Sequence, residues 1–252
     1  MSPARPEEEV DPFRVCKLYR YLRVVDVSDA MDGIGYFNIG LMSPEIRPLW
    51  PGMKFWGVAL TVRCVPANRP MRRLNTTEEI LNAHAIWFKE VGNKDIEGLV
   101  RPGHVVVMDT GGTHEVGFWG SANSLAVVNK GAVGIITDGY CRDTAELILE
   151  RIPICARARG RTIIPGRIEV AEVQTKIGCG GVQVRPGDIM GCDDDGAIVV
   201  PLEVAEEVAA HARAVLLADM RARRRMYERA GLPLDETVDY EAVEAYYRSK
   251  ET

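Results

Sequence analysis

Residues 101–138 constrain this chain more than any other stretch. Arg101-Pro102-Gly103 turns into Val105-Val106-Val107-Met108-Asp109, a short apolar run of the kind that forms a buried strand. Gly111, Gly112, Gly117 and Gly120 then flank Trp119 in a glycine-rich loop. Residues 122–130 read as a helix closed by Gly131, and 133–137 as a second buried strand. Strand, loop, helix and strand make a βαβ unit, so the spacing predicts an α/β domain.

The flanking segments extend that unit. Residues 14–32 place Val15, Leu18, Leu22 and Val25 at helix-like intervals, with Ser28 as a candidate cap for a second short helix. From Gly57, Val58, Leu60, Val62 and Cys64 alternate with Ala59, Thr61 and Arg63, the pattern of a strand half exposed to solvent and ended by Pro66. Thr76 with Glu79 forms a capping-box pattern ahead of Ile80, Leu81, Ala83 and Trp87. Residues 143–151 are a third helix candidate, strands separated by Gly and Pro turns fill the stretch to Pro201, and 202–229 read as a long helix. Its second half carries Arg221, Arg223, Arg224, Arg225 and Arg229, a solvated face or one that meets acidic neighbours.

Charge and cysteine usage exclude several classes. With 31 basic against 36 acidic side chains, the net charge of −5 disfavours a nucleic-acid-binding surface. The six cysteines show no CxxC pair or framework spacing and read as reduced. Glu7-Glu8-Glu9 stands where a signal peptide needs a basic start, and no apolar run reaches the ~18 residues of a spanning helix, so a cytoplasmic protein is expected. Phosphate-loop, GxSxG and HExxH motifs are missing, and Gly33 and Gly35 do not form a dinucleotide fingerprint.

The informative motif is Asp138-Gly139-Tyr140-Cys141-Arg142-Asp143. A strand ending in Asp-Gly predicts a sharp turn that leaves a guanidinium and a carboxylate adjacent at the mouth of a helix. Arg142 offers a bidentate fork to a carboxylate or enolate, and Asp143 a hard oxygen ligand for Mg²⁺. The same residues equally fit a helix cap, with Asp143 and Glu146 as a capping box and Arg142 as its partner. Cys141 reads as a small buried turn residue, His84 and His211 as structural, Trp119 as packing, and His114 in the glycine-rich loop as pocket lining.

This motif, together with Pro186-Gly187-Asp188 followed by Asp193, Gly196 and Pro201, resembles the family of the regulator of ribonuclease E activity A and the class II 4-hydroxy-4-methyl-2-oxoglutarate aldolases. Weaker agreement reaches Ser28-Asp29-Ala30 and the strand from Gly57 to Thr61. The resemblance implies a layered α/β domain like the swivelling phosphohistidine (β/β/α) fold over residues 1–232, with a long C-terminal helix. It also implies a homotrimer or homohexamer with sites between subunits. The extension over 233–252, with Tyr240, Tyr246 and Tyr247, is expected to pack on a neighbouring subunit. In the aldolases the arginine matching Arg142 contacts the keto and enolate oxygen, and the aspartate matching Asp143 holds a divalent metal. The place of their Gly-Glu-Leu-Leu segment is taken by Gly120-Ser121-Ala122-Asn123, whose backbone N–H groups would bind a substrate carboxylate.

Three departures bear on the chemistry. Ser121 replaces the aldolase acid, Val65-Pro66-Ala67-Asn68-Arg69 replaces a Gly-Asp-Asn loop, and Asp219 stands near the place of a C-terminal glutamate that reaches a neighbouring metal site. The general base is then to be sought among His114, Glu115, Asp109 and metal-activated water. The implied function is a Mg²⁺- or Mn²⁺-dependent carbon–carbon lyase acting on a 2-keto acid by retro-aldol cleavage or decarboxylation. The alternative is a non-catalytic regulator that binds an RNA-degrading enzyme.

Overall fold

The computed structural model describes residues 10–112 and 115–249. In chain order the helices are α1 (Pro12–Cys16), α2 (Val24–Gly33), α3 (Thr77–Leu81), α4 (Ala83–Val91), α5 (Ile96–Leu99), α6 (Ser121–Asn129), α7 (Thr144–Leu149), α8 (Ala205–Ala230) and α9 (Tyr240–Arg248). The strands are β1 (Arg47–Pro48), β2 (Phe55–Pro66), β3 (His104–Asp109), β4 (Gly117–Trp119), β5 (Gly134–Cys141), β6 (Ile154–Arg159), β7 (Ile168–Val173), β8 (Ile177–Cys179), β9 (Val182–Val184), β10 (Ile189–Asp193) and β11 (Gly196–Val200).

Nine strands form one sheet in the order β1-β6-β5-β3-β2-β10-β11, with β4 on β5 and β7 on β2, while β8 and β9 pair separately. The centre, β2, β3, β5 and β6, is parallel, as the βαβ reading requires. Arg47 on β1 donates to the carbonyls of Asp194 and Asp195 in the β10–β11 turn at 3.2 and 2.7 Å, so the two ends of the sheet approach in a nearly closed barrel. The expected α/β class and long C-terminal helix are present. The finer likeness to the swivelling phosphohistidine fold finds no support in this arrangement.

Side-chain alternation divides the core. Val105 and Val107 point into the barrel with Met190 and Val199, whereas Val106 and Met108 pack outward beside Trp87, Trp119 and Leu147. A third cluster joins α2 and α8 through Val27, Met31, Val208 and Leu216. β2 departs from expectation in part: it lies between β3 and β10 and is buried on both faces from Gly57 to Val62, with Thr61 Oγ1 donating to the Thr175 carbonyl at 2.6 Å, while Arg63 stays half exposed and pairs with Glu172.

Other local expectations are revised. α2 begins at Val24, leaving Ser28 inside it. Its start is set by the Asp26 carboxylate, which accepts the Arg23 N–H at 2.9 Å, and by Asp193, which accepts the Val24 N–H at 2.8 Å. Cys155 and Cys192 are joined in a disulfide, where reduced thiols were expected. β6 and β10 bring them together in the barrel interior across 37 residues of sequence, a separation that carries no local signal. The extension from residue 233 packs on its own chain through α9. Tyr247 is buried and donates its hydroxyl to the Leu18 carbonyl at 2.9 Å. The basic half of α8 meets this segment, with Arg221 on Glu244 and Arg224 on Glu241. Among the described residues no helix is long and apolar enough to cross a membrane.

Candidate functional site

β5 does not stop at Asp138-Gly139. It continues to Cys141, two residues past Gly139, with a register shift between Thr137 and Tyr140, and only then does the chain turn. The turning residue is Asp143, with φ of 54° and ψ of 42°, a left-handed conformation that aspartate tolerates better than most side chains. That backbone bears on the capping reading of the motif. Asp143 occupies the N-cap position of α7 but makes no side-chain cap hydrogen bond there.

Its carboxylate instead reaches across to the start of α6. Asp143 Oδ2 accepts the Ser121 N–H at 3.1 Å and the Ser121 hydroxyl at 3.4 Å, and Oδ1 accepts from Arg142 Nε at 3.2 Å. The arginine is anchored by its own backbone, whose N–H donates to the Trp119 carbonyl at 3.0 Å. Gly120 makes the approach possible, because a Cβ there would stand 2.5 Å from Asp143 Oδ2. Gly117 is equally crowded, with Arg142 Cγ and the Thr162 carbonyl each 2.9 Å from a notional Cβ.

These residues line a cavity of about 130 Å³ that includes Gly120, Ala122, Asn123, Arg142, Asp143 and His84. At about 30 Å³ per water, that is the space of roughly four waters, suited to a ligand of a few heavy atoms. The side chains of Arg142 and Asp143 are 30% and 33% exposed, so both remain accessible. The α6 N-terminus adds free N–H groups and the positive end of its dipole, while the Asn123 amide turns away to the Phe118 carbonyl at 3.0 Å. Arg142 and Asp143, Gly120 to Asn123, and the cavity therefore come together as the sequence suggested.

Within its own chain Asp219 lies away from this cavity, and its expected reach is to a neighbouring site. It pairs with Arg23 at 3.0 Å on the side of α8 that faces α2, and Arg23 also holds Asp26 at 2.6 Å. Among the described residues no group of three or more His, Cys, Asp or Glu side chains is placed to hold a metal. Of the cavity's side chains, Asp143 is the one that could hold a magnesium-type ion. Such an ion keeps most of its waters and takes one or two carboxylates plus substrate oxygens, and each Asp143 oxygen retains acceptor capacity beyond its protein donors.

The candidate bases separate clearly. His114 lies outside the described residues. Glu115 is bound by Arg161, whose Nη2 sits 2.9 Å away, and that guanidinium holds its carboxyl below the usual range. Asp109 accepts the Gly111 N–H at 2.7 Å; burial raises its pKa and Asp138 adds to the effect, but it does not line the cavity. Cys141 is buried and its thiol is pushed up to about 11 by that burial, which fits a packing role. Trp119 packs as expected, and His211 is an exposed partner of Glu207.

Sequence reasoning missed His84. The helix predicted after Thr76 breaks at Asn82 and restarts as α4, which leaves Ile80 and Leu81 exposed and turns His84 into the cavity beside Arg142. Burial lowers its pKa from 6.5, and the Arg142 guanidinium lowers it further. The available signal was its spacing of three residues from Trp87, whose indole N–H is locked on the Ile168 carbonyl at 3.1 Å.

The second sequence hallmark serves the fold. Asp188 accepts the N–H groups of Arg185 and Leu202 at 2.8 and 3.1 Å and fixes the approach to α8, while Asp193 fixes α2 as described above.

Fold and site together define a mixed α/β protein with an arginine–aspartate pair set against a helix N-terminus, and the chain belongs to the RraA-like (Aldolase/RraA) family, whose model matches residues 24–199. A relative from Halalkalibacterium halodurans, named "Putative 4-hydroxy-4-methyl-2-oxoglutarate aldolase", is 33% identical over 82% of this chain and 85% of its own length. Protein DlpA of Legionella pneumophila is 26% identical over 78% of this chain, which spans only 29% of that relative. The solved structure of an uncharacterized protein from Pseudomonas syringae matches with a TM-score of 0.67 at 27% identity, covering 88% of this chain and 96% of the other. Streptomyces coelicolor RraAS2, described as an unusual member of the RNase ES inhibitor RraA protein family, shares the fold at 22% identity and a TM-score of 0.67, over 88% of this chain and 98% of its own.

Proposed function

We propose that the chain is a divalent-metal-dependent lyase that cleaves a carbon–carbon bond beside the keto group of a small 2-keto acid. The observation that carries this reading is the Asp143 carboxylate, which leaves its own helix uncapped and sits beside Arg142 at the start of α6 in a small cavity. Asp143 would hold Mg²⁺ or Mn²⁺, and the ion when bound supplies positive charge that stabilises an enolate. The N–H groups after Gly120 receive the substrate carboxylate. Arg142 donates its fork to the keto oxygen, where negative charge gathers as the bond breaks. Retro-aldol cleavage and decarboxylation both leave a pyruvate-type enolate, so the same residues serve either reaction.

Neutral His84 would take the hydroxyl proton released in retro-aldol cleavage and return it to that enolate; in decarboxylation the proton would come from water. Among the described residues it is the only titratable side chain in the cavity lining besides Arg142 and Asp143. Burial and the Arg142 charge keep it largely neutral near pH 7, which suits a group that exchanges protons there.

The test is turnover of oxaloacetate with Mg²⁺, read by coupled detection of pyruvate and repeated after chelation. Chelator-sensitive pyruvate formation supports the lyase. Its absence, together with capture of an RNA-degrading enzyme by the pure protein, would favour the regulatory alternative.

A further inference from the structure

The family match covers residues 24–199, and the two flanks outside it close a second cavity against that matched core. Tyr246 on α9 donates its hydroxyl to the Lys17 carbonyl at 3.0 Å, and with Tyr247 on Leu18 this fastens the C-terminal helix to the segment after α1. The space left between them is about 630 Å³ and is lined by Phe13, Lys17, Arg20, Lys54, Trp56 and Tyr246. Gly103 and Val133 also border it, so it lies where β3 and β5 begin, whereas the Arg142–Asp143 cavity lies beyond the end of β5.

Size, charge and ring content of this cavity agree with one another. Its volume falls within the ~300–1,000 Å³ of small-molecule sites. Its charged lining consists of three cations and no carboxylate, in a chain whose net charge is −5. Lys17 and Arg20 make no ion pair with any acidic side chain among the described residues. Lys54 Nζ donates to the Tyr21 carbonyl at 3.0 Å, and burial pulls its pKa below the usual lysine value although Asp193 and Asp26 act in the opposite sense. The rings are fixed before any ligand arrives. Trp56 donates its indole N–H to the Leu22 carbonyl at 2.9 Å and packs 5.0 Å from the Tyr19 ring, and the Arg20 guanidinium lies 5.4 Å from the centre of Tyr246.

We propose that this cavity binds a small aromatic anion of the nucleoside phosphate class, with Lys17 and Arg20 on the phosphate groups and Phe13 and Trp56 against the base. The site is separate from the keto-acid cavity and does not depend on the activity assigned there. Two of its cations and two of its rings come from the flanks, which gives those segments a role beyond covering α8.

The experiment is calorimetric titration of the full chain with ADP, adenosine and inorganic phosphate, using wild type, the Lys17→Ala/Arg20→Ala double variant and Arg142→Ala. ADP should bind wild type. The double variant, both positions being exposed, should melt like wild type and bind ADP about tenfold or more weakly, since a hydrogen bond to a charged group contributes ~1.5–3 kcal/mol. Adenosine and phosphate alone should each bind more weakly than ADP, and Arg142→Ala should leave ADP binding intact. No binding of millimolar ADP, or equal affinity in the double variant, would overturn the proposal. Phosphate binding as tightly as ADP would remove the role of the rings, and loss of ADP binding in Arg142→Ala alone would place the nucleotide in the other cavity.

Discussion

Replacing Asp143 by asparagine separates a helix cap from a working carboxylate. The substitution keeps the shape and suits the left-handed backbone at φ of 54°, so it adds little strain. It removes the charge that faces the α6 N-terminus, a dipole interaction of ~0.3–1 kcal/mol, and weakens a pair with Arg142 that, being a third exposed, contributes at most ~1 kcal/mol. A total loss of at most about 2 kcal/mol corresponds to a fall in Tm of at most about 8 °C for a chain of this size. The consequence for rate is of another order. With no metal-holding charge, Mg²⁺-dependent turnover of oxaloacetate should fall by ~10²-fold or more, the scale of losing one preorganised electrostatic group. Thermal melts and steady-state kinetics on the same preparation decide it. Turnover within a factor of two of wild type would refute the reasoning, and so would a Tm lowered far beyond that range, because the residue would then be holding the fold.

Arg142→Lys keeps the charge and removes the planar fork, so the rate should fall ~10²-fold with little change in melting, as kinetics and melts will show. Gly120→Ala places a Cβ 2.5 Å from Asp143 Oδ2 and should cost ~1–3 kcal/mol in urea unfolding while lowering turnover by displacing the carboxylate. His84 has a folded pKa below its usual 6.5, so the unfolded chain binds the extra proton first and stability falls as pH drops through and below 6.5. Urea midpoints between pH 5 and 7 should therefore vary less in His84→Gln than in wild type, and an unchanged profile would show that His84 is not perturbed. Tyr247→Phe loses one buried hydrogen bond to Leu18 and should destabilise the chain by about 1 kcal/mol without altering turnover.

The legible parts of this fold are those where one local period decides the outcome. The apolar run of β3, the helix after Gly120 and the 26-residue α8 follow from hydrophobic spacing and caps, and each lies within a few residues of its expected place. On β2 the alternation with Arg63 resembles a solvent face, but only Arg63 keeps exposure, and Ala59 and Thr61 are buried. Burial by neighbouring strands and the Thr175 carbonyl is a tertiary fact that no window of sequence contains. The Asp-Gly turn failed for a related reason: β5 absorbs both residues as an irregularity because β6 continues to pair with it. At the site, Arg142, Asp143 and the α6 start were visible through the motif, but their geometry was not. Whether Asp143 caps α7 or faces α6 depends on its backbone angles and on the room left by Gly120. His84 was hidden because its helix restarts at Ala83 in a new direction.

The most direct measurement is a crystal structure of the protein soaked with Mn²⁺ and oxalate, a planar dianion that mimics the enolate of pyruvate. The account expects anomalous scattering from Mn²⁺ at the Asp143 carboxylate. It expects one oxalate carboxylate on the N–H groups after Gly120 and the other within reach of the Arg142 guanidinium. Mn²⁺ and oxalate bound elsewhere, with Asp143 still on the Ser121 N–H and its cavity empty, would contradict it.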